Sequence, residues 1–366
     1  MLRIVLMSVA AVSVLFSWYF WRPYQDTWLH VVEQPVPFPP SPPPPPPPLS
    51  NKSIPPSSLP SLLSPSPSPS SLRPTSSITV IQFNIDHGGE ARKEAVLAWL
   101  LHQSADVVGF CEANKWQYNL SNIASAAGYS YSEIFPTQHG YPLAVFSKTS
   151  IKVIGQHEEH FERGVLHVQI LGIHFFIAHL NAHSSAAREL ETMYLANLVR
   201  NVNKAHLPAK QKISSTDVTD GNGLLLTSFV PVVVMGDMNT LSFLDNEKLQ
   251  NTTIENQPLL QALSSLACYK AMKKKFLLGP NFDQFNYKPM DHLLEAGLVD
   301  TSSQRQPTEP TDISCDQARN CVCPHLRLDY MLVSKQFATI PTSNVIANTE
   351  TNQLSDHFPI ELRIVV

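Results

Sequence analysis

The 366-residue sequence predicts an α/β fold in which sheets pack together and helices lie outside. Three observations carry that prediction. Short apolar runs recur from Ile78 to the C-terminus, separated by polar segments rich in Gly, Asn and Asp. Longer segments with apolar residues at helical spacing lie between some of them. Apolar residues make up 43% of the chain, enough to fill a large core or two small ones.

The chain opens on an uncharged 18-residue run, residues 4–21, bracketed by Arg3 and Arg22 and ending in Trp18, Tyr19, Phe20 and Trp21. Its length is close to the minimum for a membrane span, and the terminal aromatics suit a membrane interface. The run reads as an uncleaved signal anchor over residues 1–22. A cleaved signal peptide, and hence a secreted protein, is the alternative. Residues 23–76 read as a linker, because 35–74 are dominated by Pro and Ser, with seven consecutive prolines at 42–48. Proline fixes φ and offers no amide donor, so this stretch favours polyproline II and builds no core. It reads as a stiff spacer, or as a docking site for proline-binding modules.

Residues 77–366 read as the globular domain. Residues 78–84 form an apolar strand, followed by a Gly-Gly turn and a helical pattern over 92–103. Strands are expected at 105–112, 143–147, 165–170, 173–179, 231–237, 328–333 and 360–366. Residues 184–205 are amphipathic, with Leu190, Tyr194, Leu195, Leu198 and Val202 as the expected buried stripe. Residues 210–222 read as a polar surface loop.

The formal net charge is −4, and the first 77 residues hold four basic side chains against two acidic ones. The acid excess therefore lies in the domain, which argues against tight binding of nucleic acid by general phosphate neutralisation. It leaves metal binding open, since hard cations need acidic ligands. Lys270 and Lys273 to Lys275 form the one basic cluster, read as a solvated helix face. The five cysteines cannot all pair within the chain. Cys315, Cys321, Cys323 and His325 admit a disulfide, a reduced loop or a zinc site. Sequons begin at Asn51, Asn119 and Asn251.

Polar residues at the ends of apolar strands carry the chemistry. Asn84 and Glu112 each close such a strand. Val232 to Met235 lead into Gly236-Asp237-Met238-Asn239; if that segment is extended, Asp237 and Asn239 share a side and can meet one phosphate. Asp356 and His357 are adjacent, so in extended chain they face opposite ways. Asp329 is then the better carboxylate to orient the His357 imidazole, leaving Asp356 for metal or water.

Seven short motifs occur in order: Gln82-Phe-Asn-Ile85, Val108-Gly-Phe-Cys-Glu112, Gly140-Tyr-Pro-Leu-Ala-Val-Phe-Ser147, Ala178-His-Leu180, Gly236-Asp-Met-Asn239, Arg327-Leu-Asp-Tyr330 and Ser355-Asp-His357. Together the sequence resembles the endonuclease/exonuclease/phosphatase (DNase I-like) superfamily. The resemblance implies a four-layer αββα sandwich with its site where two sheets meet at one edge. It implies Mg2+ or Mn2+ held by Glu112, helped by Asn84 and Asp356. It makes Asp237 and Asn239 the residues that position water and phosphate. His357, held by Asp329, and His179 become the imidazoles at the phosphate. Tyr141, Arg163 and Asn181 fall where supporting polar residues are expected, while His183 is read as a helix-start residue facing solvent.

The expected activity is hydrolysis of a phosphoester, first of a nucleic acid. A phospholipid headgroup or inositol phosphate is the alternative, favoured by the anchor and by the His179-Leu-Asn-Ala-His183 pattern. A further alternative is an inactive scaffold with a proline-rich docking segment, against which the complete set of strand-end residues argues.

Overall fold

In the computed structural model the described residues are 77–205, 230–254, 256–265, 270–279, 281–302, 311, 325–337 and 339–365. The hydrophobic run at 4–21, the linker, the 210–222 loop and Cys268, Cys315, Cys321 and Cys323 lie outside them. No helix among the described residues is long and apolar enough to cross a membrane.

The main strands are β1 (Ser77–Asn84), β2 (Val107–Cys111), β3 (Tyr131–Phe135), β4 (Leu143–Ser147), β5 (Lys152–His157), β6 (Val165–Ile170), β7 (Ile173–His179), β8 (Val232–Asp237), β9 (Leu298–Asp300), β10 (Asp329–Ser334), β11 (Ser343–Val345) and β12 (Ile360–Val365). They form two mixed six-stranded sheets, ordered β11-β12-β1-β2-β4-β3 and β9-β10-β8-β7-β6-β5. Each sheet holds one parallel pair at its centre, β1 with β2 and β7 with β8. Central strands must be apolar on both faces, and β2, β4, β7 and β8 are buried at every residue.

Three packed layers of side chains result. Val80, Val145, Phe175, Ile177, Val233 and Met331 belong to the core between the sheets. On the outer side of the first sheet, Phe83 and Phe110 pack with Trp99 and Leu100 of helix α1 (Lys93–Gln103) and Ile123 of α2 (Leu120–Ala126). On the outer side of the second, Phe176 and Val234 meet Leu195 and Val199 of α3 (Ser185–Ala205). Four further helices follow: α4 (Asn246–Asn251), α5 (Leu259–Ser265), α6 (Lys270–Phe276) and α7 (Lys288–Glu295). Met290 and Leu293 of α7 complete the outer layer beside α3. The expected αββα sandwich is present.

Two readings of the sequence need correction. Leu190 and Tyr194 of α3 are 57% and 38% exposed, not part of its buried stripe. The buried face instead runs through Arg188, Glu191, Thr192, Leu195 and Val199, and its first turns are polar. Strands β3 and β5 were not expected at all. Both are sheet edges, and β5 is mostly exposed with a register shift between Val153 and Gly155, so neither has an apolar run.

A set of histidines sits on β5, β6 and β7. His174 accepts from Gln169 at 3.1 Å through Nε2, which leaves Nδ1–H to donate to His167 Nε2 at 2.8 Å. The His167 ring stacks on Phe176 at 3.9 Å, with His157 on its other flank. Burial, with His174 and His157 adding, pulls His167 down to about 3, and burial also lowers His157. These rings are neutral in the fold but titrate near 6.5 when exposed, so the unfolded chain binds more protons below that pH. The stabilisation from the neutral His167 ring is therefore complete above about pH 6.5 and lost as pH falls towards 3. The thermal midpoint should drop between pH 7.5 and pH 5, and by less in His167→Phe. Equal drops in the two proteins would remove these rings as the cause.

Candidate active site

Sheet register brings the polar strand ends into one row. His179 of β7 pairs with Asp237 of β8, and Asp237 pairs with Asp329 of β10. In the facing sheet Asn84 of β1 pairs with Cys111 of β2, so Glu112 follows directly. Gly236 makes the β7–β8 approach feasible. At its φ of +149° an added Cβ would sit 1.8 Å from the Ala178 carbonyl oxygen, a contact no side chain tolerates.

Asp237 stands at the centre. Its Oδ2 accepts from Asn84 Nδ2 at 3.1 Å and lies 3.3 Å from His179 Nε2 and 3.9 Å from His357 Nε2. Burial alone would raise its carboxyl, but the His179 hydrogen bond and the His357 charge outweigh burial and hold it far below its ordinary value. The neighbouring Asp329 moves the other way. Burial raises it, the His357 charge opposes the rise, and Asp237 adds to it. His357 Nδ1 donates to Asp329 Oδ2 at 2.6 Å, which leaves Nε2 on the Asp237 side. Gln82 donates to Asp329 Oδ1 at 3.2 Å, and Thr311 Oγ accepts from the Asp329 amide at 2.9 Å.

Glu112 has a positive φ of 62°, a conformation that costs energy for a residue with a side chain. Three amides secure it: Gly88 N and Asn114 N donate to the Glu112 carbonyl at 2.6 and 2.8 Å, and His87 N to Oε2 at 3.3 Å. Its Oε1 lies 3.7 Å from Arg163 Nη1 and 3.9 Å from His179 Nε2. The Arg163 guanidinium also contacts His179 Nε2 and sits 3.9 Å over the Tyr141 ring. Nε2 of His179 therefore lies between a donor and an acceptor, and a neutral ring serves one of them at a time. Burial chiefly, with Arg163 adding, lowers the His179 pKa against the pull of Asp237, and this favours the neutral ring.

Asp86, His87 and Glu112 offer ligand atoms within 4.8 Å of one another, and Asn84 Oδ1 accepts from the Asp86 amide at 3.2 Å. The carboxylates of Asp86 and Glu112 are the hard donors that magnesium or manganese takes, and with His87 they form a set that fits a divalent ion. Asp86 Oδ2 is also paired with Arg92 at 2.7 Å. A second group, Asp237, Asp329 and His357, is fully buried and already joined by the 2.6 Å hydrogen bond. Asp356 belongs to neither group. It is half-buried with Oδ1 3.3 Å from Ser355 Oγ, which in turn donates to the Asn84 carbonyl at 2.7 Å.

Several sequence expectations are altered. Asp237 and Asn239 do not lie on one extended strand. Asn239 takes φ 50°, which Asn tolerates, and donates its amide to Asp237 Oδ1 at 2.9 Å, closing a turn. Its side chain donates to the Leu180 carbonyl at 3.2 Å. The Asn181 side chain accepts from the amides of His183 and Ser184 and contacts Glu162, so it closes a turn just before α3, whose Ala187 amide is capped by Ser184 Oγ. His183 is exposed. The lysines of α6 are not simply a solvated face: Lys273 lies 4.6 Å over Phe282 and Lys275 5.1 Å over Phe276. Sequence reasoning gave no role to Gln82, Asp86 or Thr311. Gln82, Asn84 and Asp86 fall two apart along β1 and its continuation, a polar alternation in an apolar strand that marks the first two. Thr311 gives no such sign.

The architecture is that of the DNase I-like α/β sandwiches. Residues 81–357 match the Endonuclease/Exonuclease/phosphatase family, and the chain belongs to that family. Similar solved structures include an AP endonuclease from Archaeoglobus fulgidus, at 15% identity and TM-score 0.50, covering 79% of this chain and 100% of that one. The 3'-5' exonuclease NExo from Neisseria meningitidis is similar at 16% identity and TM-score 0.52, with 79% and 100% covered. A Neisseria structure titled as the 3' phosphatase NExo bound to product DNA hairpin gives 16% identity and TM-score 0.51, with 78% and 99% covered. At these identities the likeness is one of fold. No curated protein sequence matches the chain.

Arg327, the first residue of the Arg-Leu-Asp-Tyr motif, turns away from this row. Its guanidinium lies 2.9 Å from Asp245 and 2.8 Å from Asp300 and stacks 4.2 Å from the Tyr330 ring, all of it buried. Arg327→Leu would leave two buried carboxylates without their cation. We expect unfolding free energy to fall by about 3–5 kcal/mol, measured by urea denaturation. A loss below about 1 kcal/mol would show the pairs to be energetically idle.

Proposed function

We propose that this chain is a divalent-metal-dependent phosphodiesterase acting on nucleic acid. The observation that carries the reading is the Asp329–His357 hydrogen bond at 2.6 Å, set in the same strand-end row as a strongly acidic Asp237. Two neighbouring carboxyls pushed in opposite directions divide the proton work between them. Asp237 stays a carboxylate that can orient water, steadied by Asn84. His357, with Nδ1 committed to Asp329, keeps Nε2 for a phosphate oxygen. One amide hydrogen of Asn239 is bound to Leu180, and the other can meet phosphate. Arg163 adds a fixed positive charge beside Glu112. Glu112, Asp86 and Asn84, with Asp356 nearby, would hold magnesium or manganese, which when bound offsets phosphate charge.

Nucleic acid is favoured over other phosphoesters by the fold shared with an AP endonuclease and with a phosphatase structure containing a DNA hairpin. A phospholipid headgroup is the second reading, motivated by the uncharged run at residues 4–21. In either case we propose that residues 1–22 act as a signal anchor, or as a signal peptide of a secreted protein, with 23–76 as a spacer, and the uncharged run at 4–21 motivates this secretory-pathway reading.

The purified chain should hydrolyse plasmid DNA or RNA, and bis(p-nitrophenyl) phosphate, with magnesium but not with chelator. Sphingomyelin and inositol phosphates complete the panel and test the second reading. Glu112→Gln should lower turnover roughly 10²–10³-fold. No chelator-sensitive turnover of any substrate by a folded sample would overturn the hydrolase reading, and a fully active Glu112→Gln would remove Glu112 as a ligand.

A further inference from the structure

Helix α3 turns two charged side chains inward near the site. Arg188 is 1% exposed and Glu191 3%, yet neither belongs to the row just described. Glu191 uses both oxygens. Its Oε1 accepts from the Glu162 amide at 2.7 Å and its Oε2 from the Asn181 amide at 2.6 Å. These amides belong to different segments. Glu162 immediately precedes Arg163, whose guanidinium meets His179 and Glu112. Asn181 lies two residues after His179, where β7 has just ended.

Arg188 works from the same side. It donates to the Asn181 carbonyl at 2.5 Å and to the Lys275 carbonyl of α6. The Asn181 and Glu162 side chains are also in contact, so the two segments are tied at both backbone and side chain. We infer that Glu191, backed by Arg188, is a positioning residue whose carboxylate fixes the Arg163 segment to the end of β7 and so sets the Arg163–His179 contact beside Glu112.

Packing alone does not explain the choice of residue. Two backbone donors from separate segments require two acceptors on one short group, which a carboxylate supplies. Glutamine has nearly the same shape but one acceptor. In Glu191→Gln its NH2 group faces an amide N–H, donor against donor, and one segment is released. Misplacing a catalytic group by an ångström suffices to slow turnover while leaving the substrate-binding surface intact.

The inference rests on the hydrolase reading, and its test separates the two. With bis(p-nitrophenyl) phosphate and magnesium, Glu191→Gln should lower kcat about 10–100-fold with KM unchanged within about twofold. In an Arg163→Met background the same change should cost less than about twofold, because the group it positions is already gone. Arg188→Lys, which retains the charge but not both carbonyl contacts, should show a smaller fall in kcat with the same KM. It serves as the second variant if Glu191→Gln is poorly folded. Hydrogen exchange reads the clamp without turnover: the Glu162 and Asn181 amides should exchange at least about tenfold faster in Glu191→Gln. A wild-type chain that hydrolyses nothing would end the hydrolase reading, and with it any catalytic role for Glu191. Wild-type kcat in Glu191→Gln, a loss that multiplies in full onto Arg163→Met, or unchanged exchange at both amides would overturn the inference while leaving that reading standing.

Discussion

At Gly236 the backbone of β8 comes so close to β7 that a methyl group would overlap the Ala178 carbonyl. The approach permits the parallel register in which His179 stands beside Asp237, and the antiparallel β10 then sets Asp329 on the far side. His179, Asp237 and Asp329 are thus placed side by side by backbone hydrogen bonds rather than by flexible loops. Rigid strand ends hold side chains more tightly than loops do. The facing sheet repeats the device, with β1 and β2 ending together and delivering Asn84 and Glu112.

Such a row is costly to bury, and the surrounding residues show how that cost is offset. Asp237 accepts from the Asn84 amide and faces two imidazoles, while Asp329 is held by Gln82 and His357 at its carboxylate and by Thr311 at its backbone amide. Three buried polar atoms of this edge, Gln82 Oε1, His179 Nδ1 and Arg163 Nε, have no hydrogen-bond partner among the described residues. The same logic reappears one layer out, where Arg327 balances Asp245 and Asp300 beneath the row. Ionised groups kept out of water need partners at close range. The polar residues at this edge therefore form nested shells, each fixing the one inside it.

Much of the sheet framework was legible because central strands must be apolar on both faces. β4, β6 and β7 run over 143–147, 165–170 and 173–179, the residues whose apolar runs marked them. Edge strands carry no such requirement, so Tyr131–Phe135 and Lys152–His157 gave no signal. The α3 face was misplaced because its buried first turns hold Arg188 and Glu191, which hydrophobic periodicity cannot count. At the site, Asn84, Glu112 and Asp237 stood out as polar residues ending apolar segments, and His357 as part of an Asp–His pair preceding one. Asn239 was expected on an extended strand, but its amide turns back to Asp237. The partners of Arg163, and the Glu191 bridge behind it, depend on contacts between segments with no local pattern.

One neighbour of the row is a thiol. Cys111 pairs across the sheet with Asn84 and lies buried between the sheets, its Sγ donating to the Ala178 carbonyl at 3.4 Å. Burial, with the charge of Asp237 adding, pushes its pKa well above the ordinary value, so it stays protonated. A protonated, enclosed thiol is a poor nucleophile and a poor ligand for soft metals. This edge of the sandwich therefore holds its sulfur as an enclosed, protonated thiol rather than as a thiolate open to oxidation or to a soft metal.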